Sequence, residues 1–251
     1  MQDAELLFSA VREAGALALK LSMQGVRNWN KPDGSDITEA DLQVDAFLKA
    51  RLHGARPSYG WLSEETPDDE KRLNCSKLWI VDPIDGTRSF VNRTDEWCVV
   101  AALVEDGRPI MAVVFRPAAN EFYSAIKGQG AFCNGLALKA SEGELLGASL
   151  LGRGRALKAL PGVVASSTPN IPLLLRAAYV AAGRADIALS LGLRNDWDLA
   201  AGDLLVHEAG GRMSQADGSD MIYNRPSPKQ NGMVAAGIKR HRAVLAQLEG
   251  K

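Results

Sequence analysis

Leu78-Trp79-Ile80-Val81-Asp82-Pro83-Ile84-Asp85-Gly86-Thr87-Arg88-Ser89-Phe90 is the stretch on which the reading of this chain turns. Its leading apolar residues, Leu78 to Val81, make a run of strand length that stops at a cluster of turn formers. The two aspartates therefore sit at the C-terminal end of a buried strand. Pro83 fixes its own φ and pushes Asp82 towards an extended conformation, which holds Asp82 and Asp85 close together on one rigid bend. Two such carboxylates repel unless a cation lies between them, and hard divalent cations such as Mg²⁺ take oxygen ligands. Gly86 and Thr87 then offer backbone N–H groups at the start of a helix, which makes an anion site beside the metal. A strand followed by a solvated Asp-Pro turn is the plainer reading of the same residues.

The surrounding chain has 251 residues, 46% apolar and 24% charged, with a net charge of −1. That is the composition of an ordinary globular protein with room for a sizeable core. The near-zero charge gives no general footprint for a nucleic acid polymer or an anionic membrane, so any phosphate binding has to be local. No basic segment followed by an apolar one opens the sequence, and no apolar run reaches membrane-spanning length, which predicts a cytoplasmic protein. Cys75, Cys98 and Cys133 are odd in number and lack C-x-x-C spacing. They read as small core residues, not as a disulfide framework or a thiolate zinc site. His53, His207 and His241 are isolated and read as surface or packing residues.

Leu6, Leu7, Ala10, Val11, Ala14, Leu17, Ala18 and Leu21 predict an amphipathic helix that Gly25 ends. A polar loop over 30–36 leads to a second helix from about residue 39 to 52, where Thr38 and Asp41 fit a variant of the capping box. Capping is the structural role for Asp41. Glu64 and Glu65 follow an apolar pair, and surface solvation is their default reading. Past the central stretch, β-branched and aromatic runs at 97–104, 108–115, 121–126 and 131–138 alternate with turn residues, which predicts an antiparallel meander. Residues 1–140 thus form an α+β lobe with two helices on one face of its sheet. The polar segment at 141–147 marks the boundary, and in residues 141–251 short strands alternate with helices, an α/β lobe with a second sheet. Asp198 begins a helix over 198–209, where N-capping alone would explain it.

Taken together, these elements resemble the inositol monophosphatase family of metal-dependent phosphatases. Asp82-Pro83-Ile84-Asp85-Gly86-Thr87, with Trp79 before it and Phe90 after, is similar to the family's first signature. Trp197-Asp198-Leu199-Ala200-Ala201-Gly202, followed by Glu208-Ala209-Gly210-Gly211, is similar to the second. Thr38-Glu39-Ala40-Asp41 and Ser63-Glu64-Glu65 fall in the order of its remaining acidic elements, so the resemblance spans nearly the whole chain. It implies a five-layered α/β/α/β/α sandwich with the site between two lobes. It also implies that Glu64, Asp82, Asp85, Asp198 and the carbonyl of Ile84 hold two or three Mg²⁺, with Glu65 acting through water. Thr87 and Asp41 would orient and deprotonate the attacking water, while the Gly86 and Thr87 amides and Asp85 face the phosphate. The chemistry suits the set: phosphate monoesters hydrolyse very slowly unaided, and paired metals stabilise both the entering and the leaving oxygen.

The implied substrate is a small phosphorylated metabolite. Inositol phosphatases carry an acid for sugar hydroxyls shortly before the second signature. Here Ser190 takes that place in Ala188-Leu189-Ser190-Leu191-Gly192, and Ile171-Pro172 replaces the family's G-S or G-T element. Arg176 falls where the CysQ-type 3'(2'),5'-bisphosphate nucleotidases carry a Lys, and Lys31 resembles the Lys of their K-x-D-G-S loop. Both then face a second phosphate, although a solvated helix position is the other reading of Arg176. Tyr223-Asn224-Arg225-Pro226 is placed at the substrate mouth. The expectation is a Mg²⁺-dependent, lithium-sensitive phosphomonoesterase acting on 3'-phosphoadenosine 5'-phosphate. Inositol-1-monophosphatase, histidinol-phosphate, fructose-1,6-bisphosphate and NADP phosphatases are the alternatives, and a metal-responsive binding protein is the non-enzyme alternative. The family's habit of pairing implies a homodimer.

Overall fold

The computed structural model describes residues 2–32, 34–166 and 171–249, so Asp33 of the polar loop lies outside the described residues. The first half runs α1 (Gln2–Gln24), β1 (Asn28–Asn30), β2 (Asp36–Thr38), α2 (Glu39–Leu48), β3 (Gly60–Ser63), β4 (Lys77–Asp85) and α3 (Thr87–Val91). The meander follows as β5 (Cys98–Glu105), β6 (Arg108–Arg116), β7 (Glu121–Ile126), β8 (Gly130–Cys133) and β9 (Leu136–Ala137). The second half runs β10 (Ser149–Leu151), α4 (Arg155–Ala159), β11 (Val164–Ala165), α5 (Leu173–Ala181) and β12 (Ile187–Asn195). It ends with α6 (Ala200–Glu208), β13 (Gly211–Ser214), β14 (Lys229–Gly237) and α7 (Ile238–Glu249).

β4 shows why the apolar run is continuous. Trp79 and Val81 point to one face of the sheet, where α1 and α2 bring Leu7, Val11, Val44 and Leu48. Leu78 and Ile80 point to the other, where α5 and α6 bring Leu174, Ala178 and Leu205. A strand buried on both faces has no polar side to alternate with. The sheet is seven-stranded, in the order β3-β4-β5-β6-β7-β8-β9, and antiparallel except for the parallel β3–β4 pair.

The second sheet has the order β11-β10-β12-β14-β13, and its strands alternate in the same way. Ala188, Met233 and Ala235 join the layer of α5 and α6. Ile187, Leu189, Val234 and Ala236 face outwards onto Ala156 of α4 and Val244 of α7. The result is the five-layered α/β/α/β/α sandwich that the sequence resemblance implies. α5 and α6 form its central layer and approach closely, since a Cβ on Gly202 would lie 2.7 Å from Ala177 Cβ. Glu208, at the end of α6, accepts the Gly128 and Gly130 amides at 2.8 Å each, which ties that helix to the β7–β8 turn. Among the described residues no helix is long and apolar enough to cross a membrane.

Several local expectations are corrected. The polar loop over 30–36 is the tip of a β1–β2 hairpin closed by Lys31 N to Ser35 O at 2.8 Å. β14 starts at Lys229 instead of 233, because polar Gln230 is buried there and donates to Asp196 Oδ1 and Ile222 O. Asp198 does not cap the long helix. It ends a 3₁₀ turn over Asp196–Asp198 and accepts the Asn195 amide at 2.9 Å, whereas α6 starts at Ala200 without a side-chain cap. His241 is 1% exposed, packed at β13, and Ser214 gives its own proton to Gln215 O. Ring Nε2 therefore donates to Ser214 Oγ at 2.9 Å and leaves Nδ1 buried without a partner.

That ring supplies a stability prediction. Burial, then the charges of Arg212 and His207, lower its pKa from 6.5 to about 4. The unfolded chain takes up a proton near pH 6.5 that the folded chain refuses until about pH 4, so this contribution is complete above 6.5 and lost as pH falls through that window. Urea midpoints at pH 7 and pH 5 are expected to differ less in His241→Gln than in the wild type. Equal differences would remove His241 from the acid response.

Candidate active site

The central stretch is shaped by a break in the β4–β5 ladder. Asp82 pairs with Val100 and Asp85 with Cys98, so Pro83 and Ile84 together oppose Val99. A bulge of this kind re-aims side chains, and it is where a residue without an N–H is tolerated in a central strand. Gly86 follows with φ +99, and a Cβ there would lie 2.5 Å from Pro172 Cγ and 2.8 Å from Glu96 O. Only glycine fits. α3 then begins at Thr87.

Around this bend lies a cavity of about 850 Å³. Of the residues singled out from sequence, Glu64, Asp82, Ile84, Asp85, Gly86, Thr87, Arg176, Ser190 and Asp198 line it. Glu64 arrives from the end of β3, Asp82 from β4 and Asp198 from the turn before α6, and each offers a carboxylate oxygen within 4.8 Å of the others. Asp85 stands to one side, with Oδ2 on the Leu174 amide at 2.8 Å, at the N-terminus of α5.

Burial, then Glu64, Asp85, Asp198 and Asp41, push the Asp82 carboxyl well above its usual range. Burial raises Asp85 to about 6, the Leu174 N–H opposing it, and raises Asp198 to about 7, the Asn195 N–H opposing it. Asp82 Oδ1 is buried without a hydrogen-bond partner. An all-oxygen donor set on three converging carboxylates, one of them with an unsatisfied buried oxygen, fits a hard divalent cation such as Mg²⁺.

Asp41 and Glu65 stand behind this wall. Asp41 Oδ2 takes the Thr38 N–H at 2.8 Å and the Thr38 hydroxyl at 2.5 Å, which completes the α2 capping box. Its Oδ1 is left for Thr87 Oγ1 at 3.1 Å, so the cap and the contact to the site are made by one carboxylate. Thr87 Oγ1 is also 3.1 Å from Ile84 O, and its single proton serves one of the two. Burial raises Asp41 to about 6 against its bonds from Thr38 and Thr87. Lys31 does not line the cavity: its ammonium sits between Glu64 Oε1 at 2.9 Å and Glu65 Oε1 at 2.7 Å. One cation shared by two carboxylates leaves Glu65, raised to about 7 by burial and then by Glu64, only partly compensated.

The opposite wall is basic. Arg176 is 6% exposed and anchored by Nε on Ile171 O at 2.8 Å, so it is not a solvated helix residue. The Ile171-Pro172 segment therefore sets the arginine with its carbonyl and covers Gly86 with its ring. Arg153 and Arg194 line the same cavity, and Arg194 Nε donates to Ser190 Oγ at 2.7 Å. Sequence reasoning missed both, although Arg153 lies in Gly152-Arg153-Gly154 and Arg194 shortly before Asp198. Buried Arg72 and Arg240 pair with Asp68 and Asp186, and half-buried Arg116 pairs with Glu96 and Glu121. Among the described residues Arg153, Arg176 and Arg194 have no such partner. Burial, then Arg153, lowers Arg176 to about 10.

The metal fit is tested by melting. In EDTA, Asp82→Asn is expected to unfold no lower than the wild type, because it removes one repelling charge at constant volume. Mg²⁺ at about a hundred times its Kd stabilises by ~2.7 kcal/mol, which raises the wild-type Tm by on the order of 5–10 °C. The variant should gain much less, and an equal gain would exclude Asp82 from the metal ligands.

Comparison with known proteins finds relatives over nearly the whole chain. The model of the inositol monophosphatase family matches residues 3–250. An inositol-1-monophosphatase of Rhizobium meliloti is 32% identical, with 96% of this chain and 90% of that protein covered. Nus factor SuhB of Pseudomonas aeruginosa is also 32% identical, with 96% and 93% covered. A solved IMPase/NADP phosphatase, complexed with Mg²⁺ and phosphate, shares the fold at a TM-score of 0.86 and 22% identity, covering 100% of this chain and 96% of its own.

Proposed function

Since the chain belongs to the inositol monophosphatase family of phosphatases, we propose that it hydrolyses a small phosphate monoester carrying a second phosphate, with 3'-phosphoadenosine 5'-phosphate as the leading substrate. Glu64, Asp82, Asp85, Asp198 and the Ile84 carbonyl would hold two or more Mg²⁺. When bound, the metals supply an acidified water and charge neutralisation at the scissile phosphate. The protein's own part is orientation. Thr87 Oγ1 gives its proton to Asp41 Oδ1 and keeps a lone pair for the attacking water. Asp41 is then placed to take up the water's proton as a base whose pKa, about 6, lies near neutrality. The Gly86 and Thr87 amides would donate to the phosphate oxygens, a reading supported by the place of both residues on the cavity lining.

The observation that carries the substrate reading is Arg176. A guanidinium 6% exposed, in ion-pair contact with no carboxylate among the described residues and facing the cavity that holds the acid centre, is a costly arrangement until an anion arrives. Ser190 adds no negative charge at the place where a polyol-binding acid would stand. Lys31, held by Glu64 and Glu65, is left out of this subsite. Inositol 1-phosphate is the second reading, favoured by the relative of that activity at 32% identity.

Phosphate release with Mg²⁺ is expected to give a higher kcat/KM for 3'-phosphoadenosine 5'-phosphate than for inositol 1-phosphate. A charge-assisted contact is worth ~1.5–3 kcal/mol, so Arg176→Ala should lose roughly tenfold to a hundredfold more on the bisphosphate than on inositol 1-phosphate. Equal losses, or a wild-type preference for inositol 1-phosphate, would replace the nucleotidase reading by the second one. Thr87→Ala should lower kcat by far more than it changes KM, because the lost contact acts on the attacking water. A rise in KM alone would make Thr87 a phosphate ligand.

A further inference from the structure

Ser190 was expected to touch substrate directly, but its hydroxyl is already engaged. We propose that Ser190 is a positioning residue that fixes the Arg194 guanidinium on the cavity wall, and that Arg194, not Ser190, contacts the substrate's second phosphate together with Arg176. This rests on the bisphosphate reading above and adds to it the device that sets the preference.

The device is built into the backbone. Residues four apart on a regular strand lie ~13 Å apart, too far for a serine hydroxyl to reach an arginine Nε. β12 is not regular there. Ser190 pairs with Met233 and Leu193 with Asn231, so two residues of β12 oppose one of β14. Gly192 turns the chain with φ +103, and Gly232 lets β14 close in, since a Cβ on it would lie 2.6 Å from Ser190 O. The bulge brings Arg194 Nε to 2.7 Å from Ser190 Oγ, while Nη1 holds Leu193 O at 3.1 Å.

Ser190 is 4% exposed, so the bond is sheltered from water and the arginine is tethered at its root. No ion pair with a carboxylate engages Arg194 among the described residues, yet it shares the cavity with Arg176 and Arg153. Their like charges converge on one space, and charge neutralisation by a phosphate dianion relieves the repulsion. A carboxylate has two oxygens and a single charge; a phosphate has three oxygens for three guanidiniums. The cavity therefore has an acidic end that gathers metals and a basic end that gathers a second phosphate. A substrate with one phosphate fills only the first.

The test compares a nucleoside 3',5'-bisphosphate with the matching 3'-monophosphate on the full chain with Mg²⁺. The two probes share the scissile ester, so the ratio of their kcat/KM values isolates the second phosphate. The wild-type ratio is expected to exceed ten. Arg194→Ala should lower it by about tenfold to a hundredfold, and Ser190→Ala by about three- to tenfold. Ser190→Thr, which keeps an Oγ, should restore it, and added salt should flatten the difference between wild type and Ser190→Ala. A high wild-type ratio that neither Arg194→Ala nor Ser190→Ala changes would overturn this assignment and leave the bisphosphate reading intact. A Ser190→Ala variant that loses rate on both probes equally, without rescue by Ser190→Thr, would make Ser190 structural and overturn its positioning role. A wild-type ratio near one would overturn both.

Discussion

Mutual repulsion among Glu64, Asp82, Asp85 and Asp198 is the constraint the rest of the structure answers to. Burial raises the pKa values of Asp82, Asp85 and Asp198, and the neighbouring carboxylates raise them further. The fold brings Lys31 into ion-pair contact with Glu64 and Glu65, and Arg153, Arg176 and Arg194 act on Asp85 and Asp198 only from across the cavity. It holds the acids by attaching them to rigid elements: a strand buried on both faces, the end of its parallel neighbour and a 3₁₀ turn tied to its own backbone. A centre this unfavourable when empty binds metal with most of the cost already met by folding.

The same logic explains two breaks in strand register that lie at the cavity. The β4 bulge aims Asp82 and Asp85, and the β12 bulge brings Arg194 to Ser190. Apart from a break between Leu103 and Val104 in the β5–β6 ladder, the two sheets keep their register elsewhere, which holds inward and outward residues in alternation. A one-residue break costs little where helices cover both faces, and it moves a side chain by ångströms. The central layer of α5 and α6 carries Arg176 and follows directly on Asp198, so the acidic and basic walls are joined through the most buried part of the molecule.

How much of this was legible in sequence depended on how local each feature is. The strand, bend and glycine of residues 78–90 are adjacent in the chain, and their chemistry could be read from residue types alone. Asp41 was legible twice, as a cap and as a family acid: its Oδ2 makes the cap, and its Oδ1 is left to accept from Thr87 at the cavity. Asp198 was legible by motif, while its place on a helix was not: the 3₁₀ turn before α6 has the composition of a helix start. β14 escaped because its first four residues are polar or glycine, and only tertiary burial makes Gln230 a strand residue. Arg153 and Arg194 left no local trace at all. Arg153 stands between two glycines and Arg194 between Leu193 and Asn195, and only the pairing of β10, β12 and β14 carries them to one cavity.

An acidic wall and a basic wall facing each other across about 850 Å³ define a direction as well as a volume. Among the described residues no ion pair joins Arg153, Arg176 or Arg194 to the acidic wall: Asp85 and Asp198 feel these charges across the cavity, while Asp85 Oδ2 and Asp198 Oδ2 are already bonded to the Leu174 and Asn195 N–H groups. An anion bound at the metals therefore does not neutralise Arg176 and Arg194, and an anion bound at the arginines does not satisfy the acids. A ligand that reaches both ends with separate phosphates, and carries its metals with it, completes both sets of partners at once. On the proposed reading, binding energy collected at the basic end would fix which ester bond faces Thr87, so that recognition of the remote group orients the reacting one.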